Sequence, residues 1–158
     1  MTESLKNSLD IRVVVSIVDD NQLTGTILKR MLRKYFKHDV SCVESGEKAL
    51  NLLSKEHFNL VFMDVDMPNL TGIETTLAIR NSDTILKENV HVPVIAYTTN
   101  QWDNEYSKAG MIGYVGKPAN PSKIQAELEK VSLKITTTTA ITSNNSDLSS
   151  SSLTSIVD

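Results

Sequence analysis

The segment "LVFMDVDMPNLTG", residues 60–72, joins a wholly apolar run to an acidic residue and then to a turn. Four consecutive apolar residues are typical of a short strand that is buried on both faces of a parallel sheet. The run ends at Asp64, and burying a carboxylate without a partner is energetically costly. We therefore expect Asp64 to be paired, exposed or functional.

Other apolar runs occur at 13–18, 92–98 and 113–116, with a weaker one at 40–43. The stretches between them have helical length and spacing, as in the series Leu23, Ile27, Met31 and Tyr35. About five alternations of strand and helix predict an α/β fold: a doubly wound, five-stranded parallel sheet with helices on both faces. Ligands of such folds bind where the carboxyl ends of the strands meet the loops.

The length of 158 residues predicts one domain with a full hydrophobic core. We expect it to span residues 11–134, after an N-terminal extension over 1–10. The character of the chain changes at residue 135, where a segment rich in Ser and Thr begins. Such a segment buries too little apolar surface to offset its ordering entropy, so residues 135–158 are predicted to be a disordered tail.

The chain carries 16 basic and 19 acidic residues, a net charge of −3, which indicates no basic stripe for a nucleic acid. No segment approaches the roughly 18 apolar residues of a membrane span, and the N-terminus lacks a secretory signal. A single cysteine, Cys42, cannot form an internal disulfide, and we expect it to be a small buried side chain. These features predict a cytoplasmic protein without a membrane or nucleic-acid partner.

Polar residues close the strong strands: Asp19 and Asp20 the first, Asp64 the third, Thr98 the fourth and Lys117 the fifth. The carboxyl ends of parallel strands share one edge, so these groups are expected to converge. Three close carboxylates repel one another unless a cation lies among them, and oxygen ligands suit Mg²⁺. A carboxylate beside such a metal can act as a nucleophile toward a phosphoryl group, whose oxygens need several positive or hydrogen-bonding neighbours.

Four motifs in this order resemble the receiver domain of two-component response regulators, and the resemblance runs from about Arg12 to Val131. They are "IVDDN" at 17–21, "MDVDMPNLTG" at 63–72, "PVIAYTT" at 93–99 and "YVGKP" at 114–118. The resemblance implies a flavodoxin-like sheet with strand order 2-1-3-4-5.

The resemblance also implies a role for each acid. Asp64 is expected to be the phosphoacceptor, which takes a phosphoryl group from a phosphohistidine on a histidine kinase or a histidine phosphotransfer protein. Asp19 and Asp20 are expected to hold Mg²⁺ together with Asp64 and the backbone carbonyl of Asp66. The side chain of Asp66 is less typical of the family, and its added negative charge is expected to alter hydrolysis of the acyl phosphate.

The remaining family positions concern activation. Lys117 is expected to pair with Asp64, and the peptide bond between Lys117 and Pro118 is expected to be cis. Thr98 is expected to bond a phosphoryl oxygen in the active state, while Tyr114 swings inward behind it. The surface formed by the fourth helix, fifth strand and fifth helix is expected to bind a downstream protein partner.

The sequence thus predicts a stand-alone response regulator in a phosphorelay, somewhat similar to the receivers of hybrid kinases. Such a protein catalyses only its own phosphorylation and dephosphorylation and is otherwise no enzyme. Two alternatives stay open from the sequence. The first is a degenerate receiver that acts only as a protein-binding module, and the second is a small-molecule phosphatase that forms an aspartyl phosphate.

Overall fold

The computed structural model describes residues 14–36 and 39–133, and it confirms the predicted alternation of strands and helices. The elements are β1 (Val14–Val18), α1 (Gln22–Phe36), β2 (Asp39–Val43), α2 (Gly46–Leu53), β3 (Leu60–Met63), α3 (Gly72–Asn81), a 3₁₀ turn (Lys87–Asn89), β4 (Val94–Thr98), α4 (Asn104–Ala109), β5 (Gly113–Gly116) and α5 (121–133). The predicted extension over 1–10 and the tail over 135–158 lie outside the described residues. Among the described helices, none has the length and apolar character that crossing a bilayer requires.

All five strands are parallel, in the order β2-β1-β3-β4-β5, which confirms the predicted topology. Strand β3 lies at the centre, between β1 and β4, and all four of its residues are buried. The carboxyl ends of β1, β3 and β4 are therefore neighbours at one edge of the sheet. This is the edge to which the sequence assigns the acidic residues.

The core is divided by the sheet into two clusters of buried side chains. Consecutive residues of β3 point to opposite faces, so Met63 joins one cluster and Phe62 the other. The first cluster packs under α2, α3 and α4, and the second packs under α1 and α5. Burying each large apolar side chain stabilises the fold by roughly 1.5–3 kcal/mol. Packing on both faces of β3 therefore fixes the position of the strand end that is followed by Asp64.

Helix α1 packs through Leu28 and Leu32, which are fully buried. Three of the four apolar residues whose spacing predicted this helix lie instead toward its outer side, because Leu23 is 70% exposed, Tyr35 54% and Ile27 38%. The fourth, Met31, is half-buried against the same cluster as Leu28 and Leu32. Two apolar series with the same four-residue spacing therefore run along α1. The spacing is sufficient to predict a helix, but it does not identify which series packs on the sheet.

Cys42 is exposed, so the prediction of a buried cysteine was wrong. Strand β2 is an edge strand, and Cys42 lies near its end, opposite Gly25 of α1. A β-carbon at Gly25 would lie 3.1 Å from the Cys42 sulfur. The sulfur lies in the space that a side chain at position 25 would need, so the glycine allows α1 to approach this edge strand closely.

Candidate active site

The acidic residues are held at the strand ends by backbone hydrogen bonds between neighbouring strands. The Asp19 N–H donates to the Val43 carbonyl at 3.0 Å, and the Asp64 N–H donates to the Val18 carbonyl at 2.8 Å. Carboxylate oxygens of Asp19, Asp20 and Asp64 all lie within 4.8 Å of one another. The parallel sheet thus brings together the three acids that the sequence selects.

Helix α3 starts close to the backbone of Asp64. Its first residue is Gly72, where a β-carbon would lie only 2.0 Å from the carbonyl oxygen of Asp64. The helix is capped by Thr71, whose hydroxyl accepts from the Glu74 N–H while the Glu74 carboxylate accepts from the Thr71 N–H. A glycine is required for this close approach, and the cap fixes the direction in which the loop leaves Asp64.

Lys117 is the cation of this site. Its ammonium nitrogen lies 3.1 Å from Oδ2 of Asp19 and 3.3 Å from Oδ2 of Asp64, and its side chain is only 10% exposed. The same nitrogen lies 4.9 Å from the centre of the Tyr97 ring, within the range of a cation–π interaction. The Lys117–Pro118 peptide bond is cis, as the family resemblance implies. One nearly buried amine therefore bridges two carboxylates from different strands.

Burial raises the pKa of Asp64 to about 7, because its charged form has lost hydration. Lys117 opposes this rise, while the negative charge of Asp19 and a hydrogen bond with Asp20 add to it. Three acids and one amine leave an excess of negative charge at the site. Carboxylate oxygens this close together are suitable ligands for Mg²⁺, so these residues fit the predicted metal.

Magnesium affinity is expected to depend on pH, because a proton on Asp64 competes with the metal. With a pKa of about 7, the ionised fraction of this carboxyl falls about tenfold between pH 8 and pH 6. We expect about tenfold weaker Mg²⁺ binding at pH 6 than at pH 8 by titration calorimetry. An Asp64→Asn variant should bind Mg²⁺ more weakly, with less dependence on pH over this range. Equal wild-type affinity at both pH values would contradict this assignment.

Two residues that the sequence reasoning missed hold Asp19 in place. The Thr24 hydroxyl donates to Oδ2 of Asp19 at 2.5 Å, and the Asn21 N–H donates to Oδ1 at 2.9 Å. The Tyr97 hydroxyl donates to the Thr24 carbonyl at 3.2 Å. Burial raises the pKa of Tyr97 to about 12. The only sequence signal for Thr24 is its position in the first turn of the helix that follows Asp19.

The opposite side of the site is formed by the loops after β3 and β4. Thr98 is buried at the end of β4, and its hydroxyl accepts a hydrogen bond from the Asn100 N–H at 3.2 Å. The Thr98 carbonyl accepts from the Lys117 N–H at 2.9 Å. This bond joins the end of β4 to the residue that follows β5. The Asn100 side chain donates to Oδ2 of Asp66 at 2.6 Å. Sequence reasoning singled out Thr98 and Asp66 but not Asn100.

Tyr114 lies on β5, is half-buried and packs against the core cluster under α3 and α4. A β-carbon at Gly116 would lie 2.9 Å from the Tyr114 hydroxyl oxygen. The ring therefore extends along β5 in the direction of Lys117. This places the predicted switch residue on the strand that ends just before Lys117.

The fold and the residues at its edge define the class of a CheY-like receiver domain. The family model described as the response regulator receiver domain matches residues 15–129. The chain therefore belongs to the response regulator receiver family.

Related proteins include plant histidine kinases. The chain is 36% identical over 146 residues to histidine kinase 3 of Arabidopsis thaliana and 34% identical over 146 residues to probable histidine kinase 6 of Oryza sativa subsp. japonica. These matches cover 80% and 81% of this chain, but only 14% and 15% of the respective kinases. The similarity thus concerns a small part of each relative.

Solved structures of receivers share the fold. One is the receiver domain of a sensor histidine kinase from Pseudomonas aeruginosa, solved with a magnesium ion in its active-site cleft. It has a TM-score of 0.66 at 29% identity, covering 76% of this chain and 97% of that one. The chemotaxis protein CheY4 of Vibrio cholerae has a TM-score of 0.67 at 26% identity, covering 75% and 98% of the two chains.

Proposed function

We propose that Asp64 accepts a phosphoryl group from a phosphohistidine on a histidine kinase or a histidine phosphotransfer protein. The observation that carries this proposal is the position of the Lys117 ammonium, within 3.3 Å of Asp64 and 3.1 Å of Asp19. A purely structural acid would not need two further carboxylates within 4.8 Å of it. The relatives named as histidine kinases support a role in the same type of relay.

The reaction exchanges one phosphorus bond for another. An Asp64 carboxylate oxygen attacks phosphorus and forms the acyl phosphate, while the phosphorus–nitrogen bond breaks and its electron pair returns to the donor imidazole. Charge develops on the three equatorial oxygens during the transfer. Lys117 is proposed to stabilise one of them, and the Thr98 hydroxyl is proposed to donate to another.

The metal site is proposed to consist of the carboxylates of Asp19, Asp20 and Asp64 and the backbone carbonyl of Asp66. When bound, Mg²⁺ neutralises charge on the phosphoryl oxygens. The Asp19 side chain is held in position by contacts within the chain, since the Thr24 hydroxyl and the Asn21 N–H donate to its two oxygens. Such preorganisation lowers the cost of assembling the site for each transfer.

Activation is proposed to follow from the added charge. A phosphoryl group brings about −1.5 to −2 charges and three acceptor oxygens, which attract the Thr98 hydroxyl toward Asp64. Movement of the loop after β4 makes room for the Tyr114 ring. The surface of α4, β5 and α5 then changes and binds a downstream protein partner.

Phosphate incorporation tests this function. In the presence of Mg²⁺ and acetyl phosphate, the protein is expected to gain one acid-stable, base-labile phosphate per chain, and a chelator should prevent the gain. Continuous phosphate release from small phosphoesters would instead support a phosphatase. A protein that gains no phosphate under these conditions would be a protein-binding module. The proposed receiver acts on no other substrate and is therefore not a conventional enzyme.

A further inference from the structure

Resting on this function, we propose that Asn100 is a positioning residue that, together with Asp66, latches the Thr98 hydroxyl in its resting position. The latch consists of two hydrogen bonds. The Asn100 side-chain nitrogen donates to Oδ2 of Asp66 at 2.6 Å, and the Asn100 backbone N–H donates to the Thr98 hydroxyl at 3.2 Å.

The first bond connects the two loops that flank Asp64. Asp66 lies two residues after Asp64 in the loop after β3, and Asn100 lies two residues after Thr98 in the loop after β4. Both side chains are exposed, so the bond is not required to satisfy a buried polar group. Its effect is therefore to fix the distance between the loops rather than to hold the core together.

The second hydrogen bond connects the latch to Thr98, the residue proposed to move on activation. For the Thr98 hydroxyl to move toward a phosphoryl group, it must either leave the Asn100 N–H or carry Asn100 with it. The second route is opposed by the hydrogen bond from the Asn100 side chain to Asp66. Either route gives up a hydrogen bond that the resting state possesses, so the latch biases the equilibrium toward that state.

Asn100 also lies beside the α4 residue Tyr106. Burial raises the pKa of the Tyr106 hydroxyl, and the nearby Asn100 side chain opposes that rise. Trp102 packs edge-on against Tyr106, with 5.5 Å between the ring centres, and is 42% exposed. Opening of the latch should therefore alter the surroundings of Trp102, which is the single tryptophan of the chain.

Trp102 fluorescence provides the measurement. Beryllofluoride, which mimics a phosphoryl group on a carboxylate, is titrated in the presence of Mg²⁺. Asn100→Ala should lower the titration midpoint about three- to tenfold, the size expected for an exposed hydrogen bond to a charged group. Asn81→Ala is the matched control, because Asn81 is also exposed and its side chain donates only to the Leu77 carbonyl of its own helix. It should leave the midpoint unchanged.

Exchanging the two residues separates the latch from a general loop effect. Asp66→Asn combined with Asn100→Asp keeps the net charge and restores the bond with donor and acceptor reversed. We expect a midpoint within about twofold of wild type. A midpoint equal to that of Asn100→Ala would overturn the latch, as would an unchanged or higher midpoint in Asn100→Ala.

The outcome also distinguishes the latch from the function on which it rests. A wild-type protein that does not respond to beryllofluoride, or an Asp64→Asn variant that responds normally, would overturn both. A normal wild-type response with no effect of Asn100→Ala would overturn the latch alone.

Discussion

An Asp64→Asn variant is expected to incorporate no phosphate from acetyl phosphate and to be more stable than the wild type at pH 8 without divalent ions. The amide has the size of the carboxyl group but cannot act as the phosphoryl nucleophile. It also removes a negative charge that lies near Asp19 and has lost its hydration. We expect the free energy of unfolding to rise by about 1 kcal/mol, a common trade between stability and activity.

The size of this stability change depends on pH. The pKa of Asp64 is about 7 in the folded protein and near 3.8 as an ordinary aspartate, so the folded state holds its proton more tightly. The group therefore favours folding most below about pH 4, and this contribution is lost as the pH rises through 7. The advantage of the variant should be largest at pH 8 and should shrink at pH 5.

Urea unfolding at the two pH values and mass spectrometry of the acetyl phosphate reaction measure both effects. Asp83→Asn, an exposed aspartate after α3, is the matched control and should retain phosphorylation and wild-type stability. An adduct on Asp64→Asn would place the acceptor elsewhere. Lower stability at pH 8 would mean that the contact of Asp64 with Lys117 outweighs burial and repulsion.

The sheet and its acidic edge could be predicted because each depends on a local signal. The run before Asp64 is apolar at every position, and such a run favours a central parallel strand. Once the strands are parallel, topology alone brings Asp19, Asp64 and Lys117 to one edge. The site thus follows from where each strand ends, without knowledge of side-chain packing.

The details that the sequence did not reveal depend on packing between distant segments. Cys42 is exposed on the edge strand β2, and its sulfur lies close to Gly25, which stands 17 positions earlier in the chain. The bond between Asp66 and Asn100 joins two loops that are 34 residues apart, and neither residue type is unusual in a loop. In α1, two apolar series have equal spacing, and the spacing alone does not show that Leu28 and Leu32 are the residues buried against the sheet.

Replacing Lys117 with methionine is expected to reduce the rate of phosphorylation by acetyl phosphate about 100-fold, as for other groups that stabilise transition-state charge. Methionine retains most of the apolar stem but removes the ammonium group that lies 3.1 Å from Asp19 and 3.3 Å from Asp64. Breaking a buried ion pair by removing one partner leaves the other charge uncompensated. The free energy of unfolding should therefore fall by about 3 kcal/mol at pH 8.

The loss of stability should be smaller at pH 6, because Lys117 is the group that lowers the pKa of Asp64 against the effect of burial. Without the lysine, Asp64 remains protonated to a higher pH, and a neutral carboxyl does not need a cationic partner. Lys123→Met, an exposed lysine on α5, controls for the loss of one positive charge and should change neither rate nor stability. Lys117→Arg retains the charge and should regain part of the lost stability. Wild-type phosphorylation rates in a folded Lys117→Met protein would show that the amine does not stabilise the transferring phosphoryl group.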